Sequence, residues 1–216
     1  MTFLLDGGEV AAEWAETRTS SDIGVVLVLC GADSSTAAFL PDLTERLSNA
    51  GYASVHLATE SELKAAQIAE ALAQLHKSRP NIPLSLIAFG KAGTEAWRSL
   101  VLAHDILTSV GLVSCSLPTP RPDFSLFPEV AVRGIYAEAG ATYASSYMDA
   151  HLGMAAVGTP HDFMIYGAGV TDDFYDPSSP YYHEGTWSAT QDNILDWLEV
   201  RGYLGRPEGI QAAHDH

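Results

Sequence analysis

Gly24-Val25-Val26-Leu27-Val28-Leu29-Cys30 is an unbroken apolar, β-branched run, followed by Asp33-Ser34-Ser35 and then by Phe39, Leu43 and Leu47 at helical spacing. A strand with one wet face alternates apolar and polar residues, whereas a run that is apolar throughout fits a strand covered on both faces. The side-chain oxygens at 33–35 are suited to capping a helix N-terminus, and Asn49-Ala50-Gly51 is suited to ending the helix. The stretch therefore predicts one strand-helix unit of a sheet sandwiched between helices.

The unit recurs along the chain. Strands are expected over 52–57, 83–89, 110–115, 129–137 and 162–166, and helices over 61–76, 92–104, 142–155 and about 187–200. Upstream, Asp6-Gly7-Gly8 separates the extended runs 3–5 and 9–14 and predicts a β-hairpin. This alternation predicts an α/β protein with a mainly parallel, twisted sheet, right-handed crossovers and helices on both faces. Ligands in such sheets bind beyond the carboxyl ends of the strands. Two stretches interrupt the pattern: 117–128, with four prolines, and 167–185, a 19-residue polar and aromatic loop. A loop of that length in a compact domain is usually functional, the alternative being a plain surface excursion.

Composition narrows the partners. With 216 residues, 47% hydrophobic and 18% charged, the chain is expected to form one domain over 1–206 with a frayed tail over 207–216. A net charge of −16 argues against nucleic acid and anionic membrane surfaces as partners. No segment reaches the roughly 18 apolar residues of a membrane helix. Cys30 and Cys115 lie in apolar runs and are expected to be buried thiols in a reducing cytoplasm. The histidines show no ligand spacing, so no metal or cofactor is expected. A small molecule is the expected partner, with a second copy of the chain or another protein left open.

Several segments, in order, resemble the dienelactone hydrolase family of the α/β-hydrolase superfamily. They are Val25 to Leu29, Leu43 to Tyr52, Leu86-Ile87-Ala88-Phe89-Gly90-Lys91-Ala92-Gly93, Gly134-Ile135-Tyr136-Ala137-Glu138 and Gly158 to Gly169, with the terminal helix around Trp197. The resemblance implies an α/β-hydrolase fold and a nucleophile at position 90, on a tight strand-to-helix turn flanked by small residues. It implies an acid at the end of a Gly-Glu-x-Asp pattern, matched in part by Ala137-Glu138-Ala139-Gly140, and a histidine after Gly167-Ala168-Gly169. The residues present at these positions are Gly90, Gly140 and Val170, none with a side chain that can act. The link from Leu57 to the next helix is also shorter than the family's, which implies a more open pocket.

An oxyanion hole made of backbone N–H groups survives such losses, and the resemblance implies the amides of Lys91 and of Ala32 or its neighbour. Cys30, Ala32, Asp33, Lys91, Glu138, Thr171, Asp172 and Asp173 are the candidate binding residues around it. The plainer alternative makes Cys30 core, Asp33 a helix cap, Lys91 a solvated first-turn residue and Asp172-Asp173 an ordinary charged loop. His183, in the long loop, is the histidine to consider for a relocated base.

Three functions follow as expectations. The first is isomerase, cyclase or lyase-type chemistry on a small carbonyl compound in a retained pocket. The second is a non-catalytic binding or partner protein on the same fold. The third is an ester or lactone hydrolase with a relocated triad, in which Cys30 is the candidate strand-end thiol.

Overall fold

The computed structural model describes residues 2–6, 8–19, 22–31, 38–58, 63–167 and 169–204. The expected helix caps at 33–35 and the tail over 207–216 lie outside the described residues. Eight strands form one sheet in the order β1-β2-β4-β3-β5-β6-β7-β8. The strands are β1 Thr2–Leu5, β2 Gly8–Ala15, β3 Gly24–Leu29, β4 Tyr52–Ala58, β5 Leu84–Phe89, β6 Ser109–Val113, β7 Ala131–Ala137 and β8 His161–Tyr166. β1 and β2 form the antiparallel hairpin, β2 runs antiparallel to β4, and every pairing from β4 to β8 is parallel.

The helices are α1 Leu40–Asn49, α2 Ala65–Ser78, α3 Gly93–Ala103, α4 Met148–Val157 and α5 Glu184–Leu204. Every residue of β3 and of β5 is buried, as their unbroken apolar sequences require. On one face Leu27, Leu86 and Leu112 meet Ile68 and Leu72 of α2, Trp97 of α3 and Met154 of α4. On the other, Val26, Val28 and Ile87 meet Leu43 and Leu47 of α1 and Ile194 and Leu198 of α5. None of the described helices is long and apolar enough to cross a membrane.

From β3 the chain passes through α1 to β4, then returns through α2 to β5 on the other side of β3. Crossovers of one hand that run in opposite directions must cover opposite faces, which places α1 and α2 on different sides of the sheet. The carboxyl ends of β3 and β5 thus flank the point where strand order reverses, where open α/β sheets leave a crevice. Cys30-Gly31 and Gly90 stand there.

Three boundaries differ from the sequence expectation. α1 begins at Leu40, with Pro41 in its first turn and no side-chain cap. The helix expected from 142 opens with a π-helical turn at Tyr143–Tyr147 before α4. β6 stops at Val113 because Ser114 adopts a left-handed conformation, φ 52°, which cannot continue a strand.

α3 packs tightly on the residue after that bend. A Cβ at Gly93 would stand 3.0 Å from the Cys115 Cα and run into its side chain, while the Cys115 thiol donates to Ala88 O at 3.2 Å. Gly93→Ala should therefore destabilise the protein by about 1–3 kcal/mol through overpacking against backbone. Gly111→Ala, whose Cβ would meet Ile87 at an ordinary 3.5 Å, should change stability by less than about 1 kcal/mol. Urea unfolding of both variants, compared with wild type, checks the contrast.

Candidate active site

Phe89 ends β5 in extended conformation (φ −120°, ψ 134°), Gly90 turns left-handed (φ 53°), and Gly90–Ala92 form one turn of 3-10 helix leading into α3. This is the sharp strand-to-helix elbow on which α/β-hydrolases expose a nucleophile. The space a side chain at position 90 would enter is already taken. An ideal Cβ there would lie 2.6 Å from the Tyr175 hydroxyl oxygen.

Tyr175 is held by other rings. Its ring centroid lies 5.3 Å from that of Phe39, 5.3 Å from that of Phe89 and 6.5 Å from that of Trp187, inside the core beneath α1 and α5. Burial pushes the Tyr175 phenol well above its ordinary range. At neutral pH it is a hydrogen-bond donor rather than a phenolate nucleophile.

The acid's position shows the same substitution. Gly140 is buried at the end of a turn closed by its N–H on Ala137 O at 2.9 Å, and a Cβ on it would run into the Asp172 carboxylate. Asp172 is fixed by two donors, the Thr142 N–H at 3.1 Å and the Thr142 hydroxyl. A carboxylate supplied by the loop after β8 therefore occupies the space a side chain at 140 would enter.

The base has no such replacement. Val170 packs against the core, and its N–H closes a turn on Gly167 O at 3.3 Å. His183 is exposed. Its Nδ1 accepts from the Thr186 N–H at 3.1 Å and lies 2.9 Å from the Thr186 hydroxyl. It caps α5, which is why that helix starts at Glu184 rather than near Trp187. His151 and His161 pair through their rings at 3.1 Å on α4 and β8. Among the described residues no histidine lines the cleft beside Gly90.

That cleft has a volume of about 410 Å³. It is lined by Thr94, Ser114, Ser116 and Thr142, by Glu95, Asp172 and Asp173, and by Lys91 beside Gly90. Lys91 and Glu95 also border a neighbouring crevice of about 20 Å³ lined by Cys30, Leu57, Leu63 and Ile68, room for about one water molecule. Burial raises the Cys30 thiol to about 12, which keeps it a thiol at neutral pH.

Of the residues proposed from sequence, Lys91, Asp172 and Asp173 line one cleft and Cys30 lines the adjoining crevice. The Thr171 hydroxyl is buried next to Asp172 in the chain. Glu138 is exposed, with its N–H on Tyr166 O at 2.8 Å, and is not among the cleft's lining residues. Ala32 and Asp33 lie outside the described residues, so the oxyanion position that remains in view is the Lys91 amide, within the elbow turn. Sequence reasoning missed Tyr175, Thr142 and Ser114. The long loop pointed towards the first, while the other two sit in segments assigned wholly to a helix and a strand.

No family model and no curated protein matches the chain. Solved structures do. A Klebsiella pneumoniae protein assigned as a dienelactone hydrolase shares 15% sequence identity at TM-score 0.74, over 92% of this chain and 96% of that one. A dienelactone hydrolase-like promiscuous phosphotriesterase from metagenomic libraries shares 14% at TM-score 0.74, over 93% and 97%. An esterase from Pyrobaculum calidifontis shares 14% at TM-score 0.71, over 93% and 83%. The chain has the α/β-hydrolase fold. Its structural neighbours are dienelactone hydrolase-like proteins and esterases.

The filled elbow makes repair by one substitution unworkable. Gly90→Ser combines a left-handed backbone with a Cβ 2.6 Å from the Tyr175 hydroxyl and should cost about 1–3 kcal/mol without creating an esterase. The next Tyr175 atom, Cζ, would be 3.9 Å away, so Tyr175→Phe in the same chain should recover the steric part and leave the backbone strain. A double-mutant cycle by urea unfolding reads the coupling directly, and additivity would mean that the hydroxyl does not crowd position 90.

Proposed function

We propose that the protein is an enzyme that moves a proton on a small carbonyl compound without forming an acyl-enzyme. One observation carries the reading: the loop after β8 sets polar groups against the two glycines where the resemblance implies the nucleophile and the acid, the Tyr175 hydroxyl over Gly90 and the Asp172 carboxylate over Gly140. In this scheme the substrate carbonyl lies at the elbow. The Tyr175 hydroxyl and the Lys91 amide donate to its oxygen, and the Asp172 carboxylate removes a proton from the adjacent carbon. Negative charge then develops on the oxygen, where the donors stand. Reprotonation of the same carbon by Asp172, after exchange with water, gives net hydrogen exchange. In an α-hydroxy carbonyl, reprotonation of the former carbonyl carbon while the hydroxyl proton passes to the other oxygen completes an isomerisation, and atoms and electrons balance with water as the only exchange partner. The Lys91 ammonium, exposed on the cleft wall, supports the charge on that oxygen.

The hydrolase alternative would need a nucleophile beside a base. Ser114, Ser116 and Cys30 have no histidine lining their cavities among the described residues. A fluorophosphonate probe should therefore leave the intact mass unchanged, and a stoichiometric adduct on any of these three would replace this reading with a relocated hydrolase.

Incubating the protein with small ketones and lactones in D2O, followed by proton NMR, measures exchange at the carbon beside the carbonyl. Wild type should catalyse exchange; Asp172→Asn and Tyr175→Phe should each lower it by about 10²-fold or more with the fold intact by circular dichroism. Lys91→Met should weaken it about tenfold, equivalent to roughly 1.4 kcal/mol. Ligand binding without exchange would make the protein a binding module.

A further inference from the structure

Buried hydroxyls without a protein partner are found at three described residues, Ser114 Oγ, Tyr136 Oη and Thr171 Oγ1, and two of them belong to the neighbourhood of Asp172 in the chain or in the cleft. Thr171 precedes it in the chain, and Ser114 lines the same cleft. Tyr136 is on β7, and burial raises its phenol well above the ordinary range. A buried hydroxyl left unpaired is costly, and one that persists calls for a ligand or water that completes it.

Ser114 carries a second cost. It is 1% exposed, and it is the one non-glycine with positive φ among the described residues, at 52°. Such strain is kept where the surroundings impose it and is concentrated at ligand sites.

The cleft's lining adds a third, independent observation. It contains no apolar side chain. Most small-molecule pockets are predominantly apolar, with a few polar groups for orientation. Every side chain that lines it carries a hydroxyl, a carboxylate or an ammonium, and its three carboxylates outnumber its one ammonium, which disfavours an anion. A neutral ligand rich in hydroxyl groups fits on both counts, because each ligand hydroxyl both donates to a carboxylate and accepts from a serine or threonine.

We propose that the cleft binds a small neutral polyhydroxylated carbonyl compound, a short sugar or sugar lactone of about three to six carbons, and that Ser114 and Asp172 hold the hydroxyl next to its carbonyl. This rests on the proton-transfer reading above for the carbonyl's place at the elbow. It adds the substrate class: Asp172 accepts from the ligand hydroxyl, and Ser114 supplies the hydrogen bond that its own environment leaves unmade.

Saturation-transfer NMR and calorimetry on the full chain provide the test. The probes are dihydroxyacetone, erythrulose and erythronolactone, with butanone and γ-butyrolactone as deoxy partners, erythronate as an anion and ethanolamine as a cation. The hydroxylated neutral ligands should bind at least about tenfold more tightly than their deoxy partners. Ser114→Ala should weaken them by about five- to tenfold while leaving Tm unchanged or higher, because it removes an unpaired buried hydroxyl. Ser114→Gly should raise Tm further by relieving the left-handed backbone, with the same loss of binding.

Equal affinity for the deoxy partners, preference for erythronate or ethanolamine, no binding by any neutral polyol, or a fall in Tm with Ser114→Ala would each overturn the inference. Deuterium exchange separates this from the reaction itself. Polyol binding without exchange upholds the ligand class and removes the chemistry; exchange on deoxy ketones without polyol binding does the reverse.

Discussion

Between Phe89, fully extended, and Gly93, already helical, the chain has three residues in which to turn a buried strand into a buried helix. Only a left-handed residue closes that turn, and Gly90 supplies it at φ 53° without the steric cost a side chain would carry. α3 is in turn pressed so closely on the bend after β6 that position 93 has no room for a Cβ beside Cys115. These contacts fix β5, β6 and α3 as one unit. They also place the elbow at the crevice where strand order reverses, and the cleft follows from that placement.

The loop between β8 and α5 borders the cleft through Asp172 and Asp173 and is well anchored for its length. Phe174 and Tyr175 enter the core beneath α1 and α5, Asp176 is tied to the Ser178 N–H at 2.9 Å, and the His183 N–H reaches Phe174 O at 3.0 Å. Asp172 is pinned from the far side by Thr142, at the head of the π-helical turn before α4. One loop thus links positions 90 and 140 to the two faces of the sheet.

The sheet was legible in the sequence because its strands are covered on both faces and must be apolar throughout, as in 24–29 and 84–89. The elbow was legible from small residues at a strand end. Local patterns did not reveal what fills it. The approach of Tyr175 to Gly90 and of Asp172 to Gly140 spans 85 and 32 positions along the chain, a tertiary fact with no periodicity to announce it. Ser114 was hidden for a different reason, since 110–115 is apolar enough to pass as one strand and its end is set by a backbone angle. Glu138, which resembled a retained piece of an acidic motif, faces solvent instead.

Loss of three catalytic side chains would leave gaps in a tightly packed structure, and gaps in cores are filled or collapse. The manner of filling separates repair from reuse. Val170, where the resemblance implies a base, is apolar and packs on the core. Phenylalanine at 175 would fill the aromatic nest equally well without burying a hydroxyl, and an apolar residue at 172 would spare the fold a carboxylate whose two bonded partners both come from one threonine. Polar groups stand where packing asks only for volume, and the unpaired hydroxyls of Ser114 and Thr171 belong to the same cleft and loop. Each costs free energy in the unliganded protein that a ligand with matching donors and acceptors returns on binding.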